Sequence, residues 1–171
     1  MFRKSRKATM VFLFAAAAVV SFAWVRGRTA ESADGGALQS GAFITVTPDR
    51  PLEIEAASVT ENASFIPVEV DGTKMEIIAV RDSRGAIRTA FNTCQVCFGS
   101  SQAYYKQSGN SLVCQNCGNR FSMDRVGVQA GGCNPWPISD EGKTVTEDKV
   151  VIPYDYLVKA REIFSNWKVD Y

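Results

Sequence analysis

Cys94-Gln-Val-Cys97 and Cys114-Gln-Asn-Cys117 decide how this chain is read. Two residues between thiols let a tight turn aim both sulfurs at one centre, with backbone N–H groups facing them. The 16 residues between the pairs contain Ser108-Gly109-Asn110, a turn signal flanked by Tyr104–Gln107 and Ser111–Val113. A hairpin there delivers the second pair opposite the first. The spacing therefore predicts one centre held by Cys94, Cys97, Cys114 and Cys117. Zinc in a four-cysteine ribbon, an iron–sulfur cluster, two disulfides and a redox-active dithiol all use these donors. The dithiol reading is weakened because no helical pattern starts at either pair to lower a thiol pKa.

Outward from the cysteines the text is β-rich. Phe43–Thr47, Phe65–Val70, Lys74–Arg81, Ala86–Asn92 and Val150–Ile152 are strand candidates, with Asp71-Gly72 and Asp82-Ser83-Arg84-Gly85 as turns. Tyr104 and Tyr105 alternate along their strand, which predicts one facing in and one out. After Pro153, the residues Leu157, Val158, Ala160, Ile163, Phe164 and Trp167 share one helical face. The expected fold is mainly β with one C-terminal helix docked on the sheet.

The 171 residues include no histidine. Ser-His-Asp and Cys-His catalysis, H-E-x-x-H proteases, C-x-x-C-H haem attachment and His-ligated metals are excluded. The carboxylates are scattered and form no convincing catalytic pair. A fifth cysteine, Cys133, makes the count odd, so full intramolecular disulfide pairing is impossible.

Charge is unevenly placed. Residues 1–28 hold six Lys/Arg and no acid, whereas residues 29–171 hold 13 basic against 18 acidic residues, a net charge of −5. A nucleic-acid partner is not expected, and a net-negative domain points to a positively charged partner surface or to cations. Arg3, Lys4, Arg6 and Lys7 precede an uncharged run from Ala8 to Val25, and Arg26 and Arg28 follow. The bias places the N-terminus in the cytoplasm and the rest of the chain outside. The run is long enough for a transmembrane anchor, and Ser21-Phe22-Ala23 would serve a signal peptide. The expected organisation is a membrane or signal segment at 1–28, a Gly-rich flexible linker at 29–41, and an exported β-rich metal-binding domain at 42–171.

Cys114-x-x-Cys117-Gly118-Asn-Arg-Phe121, followed by Gly131-Gly132-Cys133-Asn134-Pro135-Trp136-Pro137, resembles the second cluster-binding box of Rieske iron–sulfur proteins. In that family the pair is C-x-x-H, so Cys97 and Cys117 stand where histidines belong, and a true Rieske centre is excluded. The resemblance implies a small Rieske-like or zinc-ribbon-like domain with an all-thiolate centre of lowered reduction potential. Gly118 would serve the turn at the site, Phe121 and Pro135 would cover it, and Cys133 would lie in the covering loop as a nearby thiol, substitute ligand or redox partner.

A wider resemblance covers roughly residues 60–152. Arg81-Asp-Ser-Arg-Gly-Ala-Ile-Arg-Thr-Ala-Phe91-Asn-Thr-Cys94-x-x-Cys97, the Tyr104-Tyr105 hairpin, Leu112-Val113-Cys114-x-x-Cys117-Gly118-Asn119-x-Phe121 and Gly131-Gly132-Cys133-Asn134-Pro135-x-Pro137 are similar to the FtrD-like membrane iron–sulfur proteins. That resemblance implies an iron–sulfur cluster rather than zinc. It also implies an electron carrier on the extracytoplasmic side of the cell membrane, beside a permease or redox partner of a bacterial iron-uptake system.

Overall fold

The computed structural model describes residues 42–168. The expected membrane segment at 1–28 and linker at 29–41 lie outside the described residues. The strands are β1 (Ile44–Val46), β2 (Leu52–Glu55), β3 (Ser64–Val70), β4 (Thr73–Arg81), β5 (Ile87–Cys94), β6 (Tyr105–Ser108), β7 (Ser111–Cys114), β8 (Arg120–Ser122), β9 (Pro135–Pro137), β10 (Thr144–Val145) and β11 (Lys149–Ile152). One α-helix, α1 (Tyr154–Ala160), continues as a 3-10 turn over Arg161–Phe164.

Strand β4 organises the rest. Its sequence TKMEIIAVR is apolar at successive positions, the pattern of a strand covered on both sides. Met75, Ile77 and Ala79 enter one core, and Ile78 and Val80 enter another. The two sets are the two sides of the pleat. The central sheet runs β1-β3-β4-β5-β9, with β1 parallel to β3 and the remaining pairs antiparallel. The first core lies between this sheet, α1 and the sheet β10-β11-β2. The second lies beneath the sheet β6-β7-β8, with Cys94 and Cys114 buried in it and Cys97 and Cys133 packed against it.

The expected strands are present, each within a residue or two of its sequence limits, and the protein is mainly β. Pro153 stands one position before the helix as its cap rather than inside the first turn, and its carbonyl accepts the N–H groups of Tyr156 and Leu157. On the expected helical face, Leu157, Ala160, Phe164 and Trp167 are buried in the first core. Phe91 receives them, stacking on Tyr156 at 6.1 Å and meeting Phe164 edge-on at 5.8 Å. The tyrosine expectation is corrected. Tyr104 and Tyr105 do alternate, but both are buried, Tyr104 in the first core and Tyr105 in the second. The chain is covered on both sides at that point, so neither face is solvent.

Asn92 locks the second layer in place. It is fully buried on β5, accepts the Tyr105 N–H at 2.7 Å and donates to the Tyr105 carbonyl at 3.2 Å. Its own carbonyl accepts the Trp167 indole N–H at 2.7 Å. One residue thus ties β5, β6 and the C-terminal segment. Asn92→Ala leaves both Tyr105 backbone groups buried without this partner, so the free energy of unfolding should fall by about 2–4 kcal/mol in urea denaturation.

Candidate metal centre

Three loops meet at the end of β5. The first runs from Cys94 to Tyr104, the second from Cys114 to Asn119, and the third from Val126 to Asn134. The Cys94 N–H donates to Ala103 O at 2.8 Å, which closes the first loop. The Gly118 N–H donates to Cys114 O at 2.8 Å, and Gly118 takes φ +73, which closes the second. This left-handed backbone is strained for residues with a side chain and natural for glycine. Gly127 also has positive φ, and a Cβ there would lie 2.6 Å from Thr89 O, so the third loop can approach β5 this closely only through glycine.

Cross-links hold the loops together. The Gln95 N–H donates to Asn134 O at 3.0 Å, and the Gly131 N–H donates to the Gln95 side-chain oxygen at 2.9 Å. Asn119 Nδ2 donates to Cys133 O at 2.9 Å, and the Ser100 hydroxyl donates to Asn116 Oδ1 at 2.7 Å. Asn134 also turns its amide onto Gly131 O. Asn119 and Asn134 stand in the motifs of the family resemblance, whereas Gln95 and Asn116 carry no sequence signal beyond being polar in a loop. Their roles come from contacts between segments distant in the chain.

All five cysteines are free thiols, and they converge. The sulfurs of Cys94, Cys97, Cys114 and Cys133 lie within 4.8 Å of one another. Cys133 Sγ is 3.3 Å from Cys94 Sγ and 2.9 Å from Cys117 Sγ. Cys94 and Cys114 are buried, Cys97 and Cys133 half-buried, and Cys117 exposed. Phe121 is buried on β8 in the same core. Pro135 opens β9, with its Cα paired to that of Cys94, beside the site at the sheet edge. Such a place suits a residue with no N–H to donate.

The environment separates the thiols. Burial alone would raise Cys94, but the Tyr105 hydroxyl and the N–H groups of Val96 and Cys97 outweigh it, and the net shift is downward. Burial pushes Cys114 up to about 12 despite the N–H groups of Cys117 and Asn116. Burial also raises Cys97 and Cys133. Tyr105, raised by burial and then by its contact with Cys94, remains a protonated donor. Cys117 is lowered to about 7, first by the Cys133 contact and then by the Asn119 N–H.

Five sulfurs packed this closely in a partly buried site are a donor set for soft metal chemistry. Thiolates are ligands of zinc and of iron–sulfur clusters, and the first cysteine of each C-x-x-C receives two backbone N–H groups. Residues 59–164 match the family described as membrane iron-sulfur containing protein FtrD-like.

The chain belongs to the FtrD-like family. That match spans more than half of the chain and includes all five cysteines. The family and the close sulfurs together identify the cofactor as an iron–sulfur cluster, and they place this FtrD-like protein in a membrane context. No curated protein and no solved structure matches the chain. Among the described residues no helix is long and apolar enough to cross a membrane.

In the reduced, metal-free protein Cys117 is the thiol to ionise near neutral pH. Its alkylation by iodoacetamide should rise through a midpoint near pH 7 and fall away below it, as the thiolate is protonated. Cys133→Ala removes the first cause of the lowering and should move that midpoint upward. Peptide mass mapping across a pH series reads both.

Proposed function

We propose that this protein is an exported, membrane-tethered electron carrier whose all-cysteine iron–sulfur centre is bound by Cys94, Cys97, Cys114 and Cys117, with Cys133 beside them. The observation that supports this reading is the gathering of Cys94, Cys97 and Cys114, drawn from both C-x-x-C turns, with Cys133, whose sulfur touches that of Cys117, and with no disulfide among them. The cluster, when bound, supplies one-electron chemistry. The chain supplies thiolates, N–H donors to sulfur, and the cover of Phe121 and the Tyr105 hydroxyl, which together set exposure and potential. The cationic leader at residues 1–28 supports a cytoplasmic N-terminus and a domain on the other side of the membrane. A place in a bacterial iron-uptake system, handing electrons to or from a permease or its redox partner, follows from the family resemblance.

The edge of the site supports a partner unlike the one that net charge alone indicates. Residues 94–103, 114–119 and 126–139 contain no Asp, Glu, Lys or Arg, although 22% of the chain is charged. Val96, Phe98 and Val128 are exposed there, and Phe98 meets Trp136 edge-on at 5.9 Å. The surplus of negative charge lies elsewhere, so docking over the centre relies on apolar contact and amide hydrogen bonds rather than on steering.

The decisive measurement is an optical and metal analysis of the full chain purified anaerobically from its native membrane. A brown protein containing iron and acid-labile sulfide, bleached by dithionite and restored by oxidation, is expected. A colourless protein holding zinc overturns the electron-carrier reading in favour of a structural ribbon. That reading has a footing in the same geometry, since four thiolates about 2.3 Å from one ion lie within such a spacing. Two disulfides and one thiol in the native protein would instead indicate a dithiol–disulfide redox protein.

Val128→Glu places a charge on the exposed, uncharged edge at a residue whose N–H donates to Arg125 O rather than to a sulfur. It should leave cluster content unchanged and slow electron exchange with native membranes by about tenfold, a like-charge or desolvation penalty of ordinary size. Stopped-flow bleaching of the visible band measures it.

A further inference from the structure

Four thiolates complete one centre, and this chain brings five sulfurs to one place. Two tetrads can be drawn around Cys94, Cys97 and Cys114. One is completed by Cys117, the C-x-x-C partner of Cys114. The other is completed by Cys133, whose sulfur lies with those three in the set within 4.8 Å of one another. The competing sulfurs are 2.9 Å apart.

Each rival is built for the position. Cys117 receives the Asn119 N–H, as a coordinating sulfur does, and its turn is closed by Gly118. Cys133 packs against the second core, and Gly131 and Gly132, at φ +83 and +82, turn the chain into it. Asn119 serves both, since its backbone N–H faces the Cys117 sulfur while its side chain holds the Cys133 carbonyl at 2.9 Å. The two differ in exposure. Cys117 is open to solvent, and Cys133 is half-buried.

We propose that Cys117 and Cys133 are alternative ligands for one coordination position, with Cys94, Cys97 and Cys114 as the constant three. Exchange breaks one metal–sulfur bond and forms another. The proton of the incoming thiol passes to the outgoing thiolate across the short S···S contact, so net charge and electron count are unchanged and no co-reactant is needed. Ligation by Cys117 turns the centre toward solvent and a docking partner, and ligation by Cys133 withdraws it. Solvent exposure at the sulfurs is one of the controls on potential, so the pair gives the site two settings. The inference rests on the site holding a metal centre, but not on that metal being iron.

The test compares full-length wild type with Cys117→Ala, Cys133→Ala, the double variant and Cys114→Ala, all handled anaerobically. Each single variant of the pair should keep the wild-type metal-to-protein ratio, whereas the double variant and Cys114→Ala should lose it. Loss in either Cys117→Ala or Cys133→Ala alone overturns the proposal, because that sulfur is then a fixed ligand. Retention in the double variant overturns it equally. Cobalt(II) titration of the metal-free proteins provides an independent count. Thiolate-to-cobalt band intensity should match wild type in both singles, whereas the double variant should bind cobalt more weakly and reach only about three quarters of the wild-type intensity at saturating cobalt, one thiolate in four being gone. A variant whose far-ultraviolet circular dichroism departs from wild type is replaced by its Cys→Ser counterpart. Zinc in the native protein would end the electron-carrier reading, while the cobalt count would still decide the exchange.

Discussion

The amide of Asn92 grips both backbone groups of Tyr105, and the metal centre depends on that grip. It holds the edge of the small sheet β6-β7-β8 over β5, so that the turn after β7 faces the turn after β5. Those turns carry the two C-x-x-C pairs. Without this layer the pairs would be two unrelated loops. Burial makes the grip effective, because unpaired amide groups are costly away from water.

Around that joint the molecule divides its labour by face. The core on the α1 side of the central sheet is aliphatic and aromatic packing, centred on Phe91 and the C-terminal segment. On the other side the packing includes Cys94 and Cys114, with Cys97 and Cys133 at its margin. The sulfurs thus sit on an apolar floor, with Cys94 and Cys114 enclosed, Cys97 and Cys133 half-buried and Cys117 open to solvent. Such a gradient from enclosed to open suits the electron-transfer role proposed above, since an apolar floor shields a bound centre from water.

The three loops are joined by amides rather than by charges. Gln95, Asn116, Asn119 and Asn134 each bond to a neighbouring loop or within it, and these loops contain no charged side chain that could form an ion pair. Neutral donors fix backbone positions without adding a field to a centre that is itself anionic. The same neutrality gives the outer surface its apolar character at Val96, Phe98 and Val128.

Much of this was legible in the chain alone. Short β-rich runs bounded by the Asp71-Gly72 and Ser108-Gly109-Asn110 turns located the strands, because turn geometry is a local property. The doubled C-x-x-C pointed to one four-sulfur centre while leaving zinc, an iron–sulfur cluster, disulfides and a redox dithiol open, and the absence of histidine removed His-ligated metals and His-based catalysis. Other features were hidden. Pro135-Trp136-Pro137 does not look like a strand and forms one only because an edge position requires few N–H donors. The burial of both Tyr104 and Tyr105 depends on a second layer that no local pattern announces. Above all, the sequence determined that four sulfurs come in two spaced pairs. The resemblance already set Cys133 in a loop over the site, but only the folded chain decided that its sulfur lies 2.9 Å from that of Cys117, because that closeness accompanies the Gly127 approach to Thr89 and the Asn119 clasp, both contacts between distant segments.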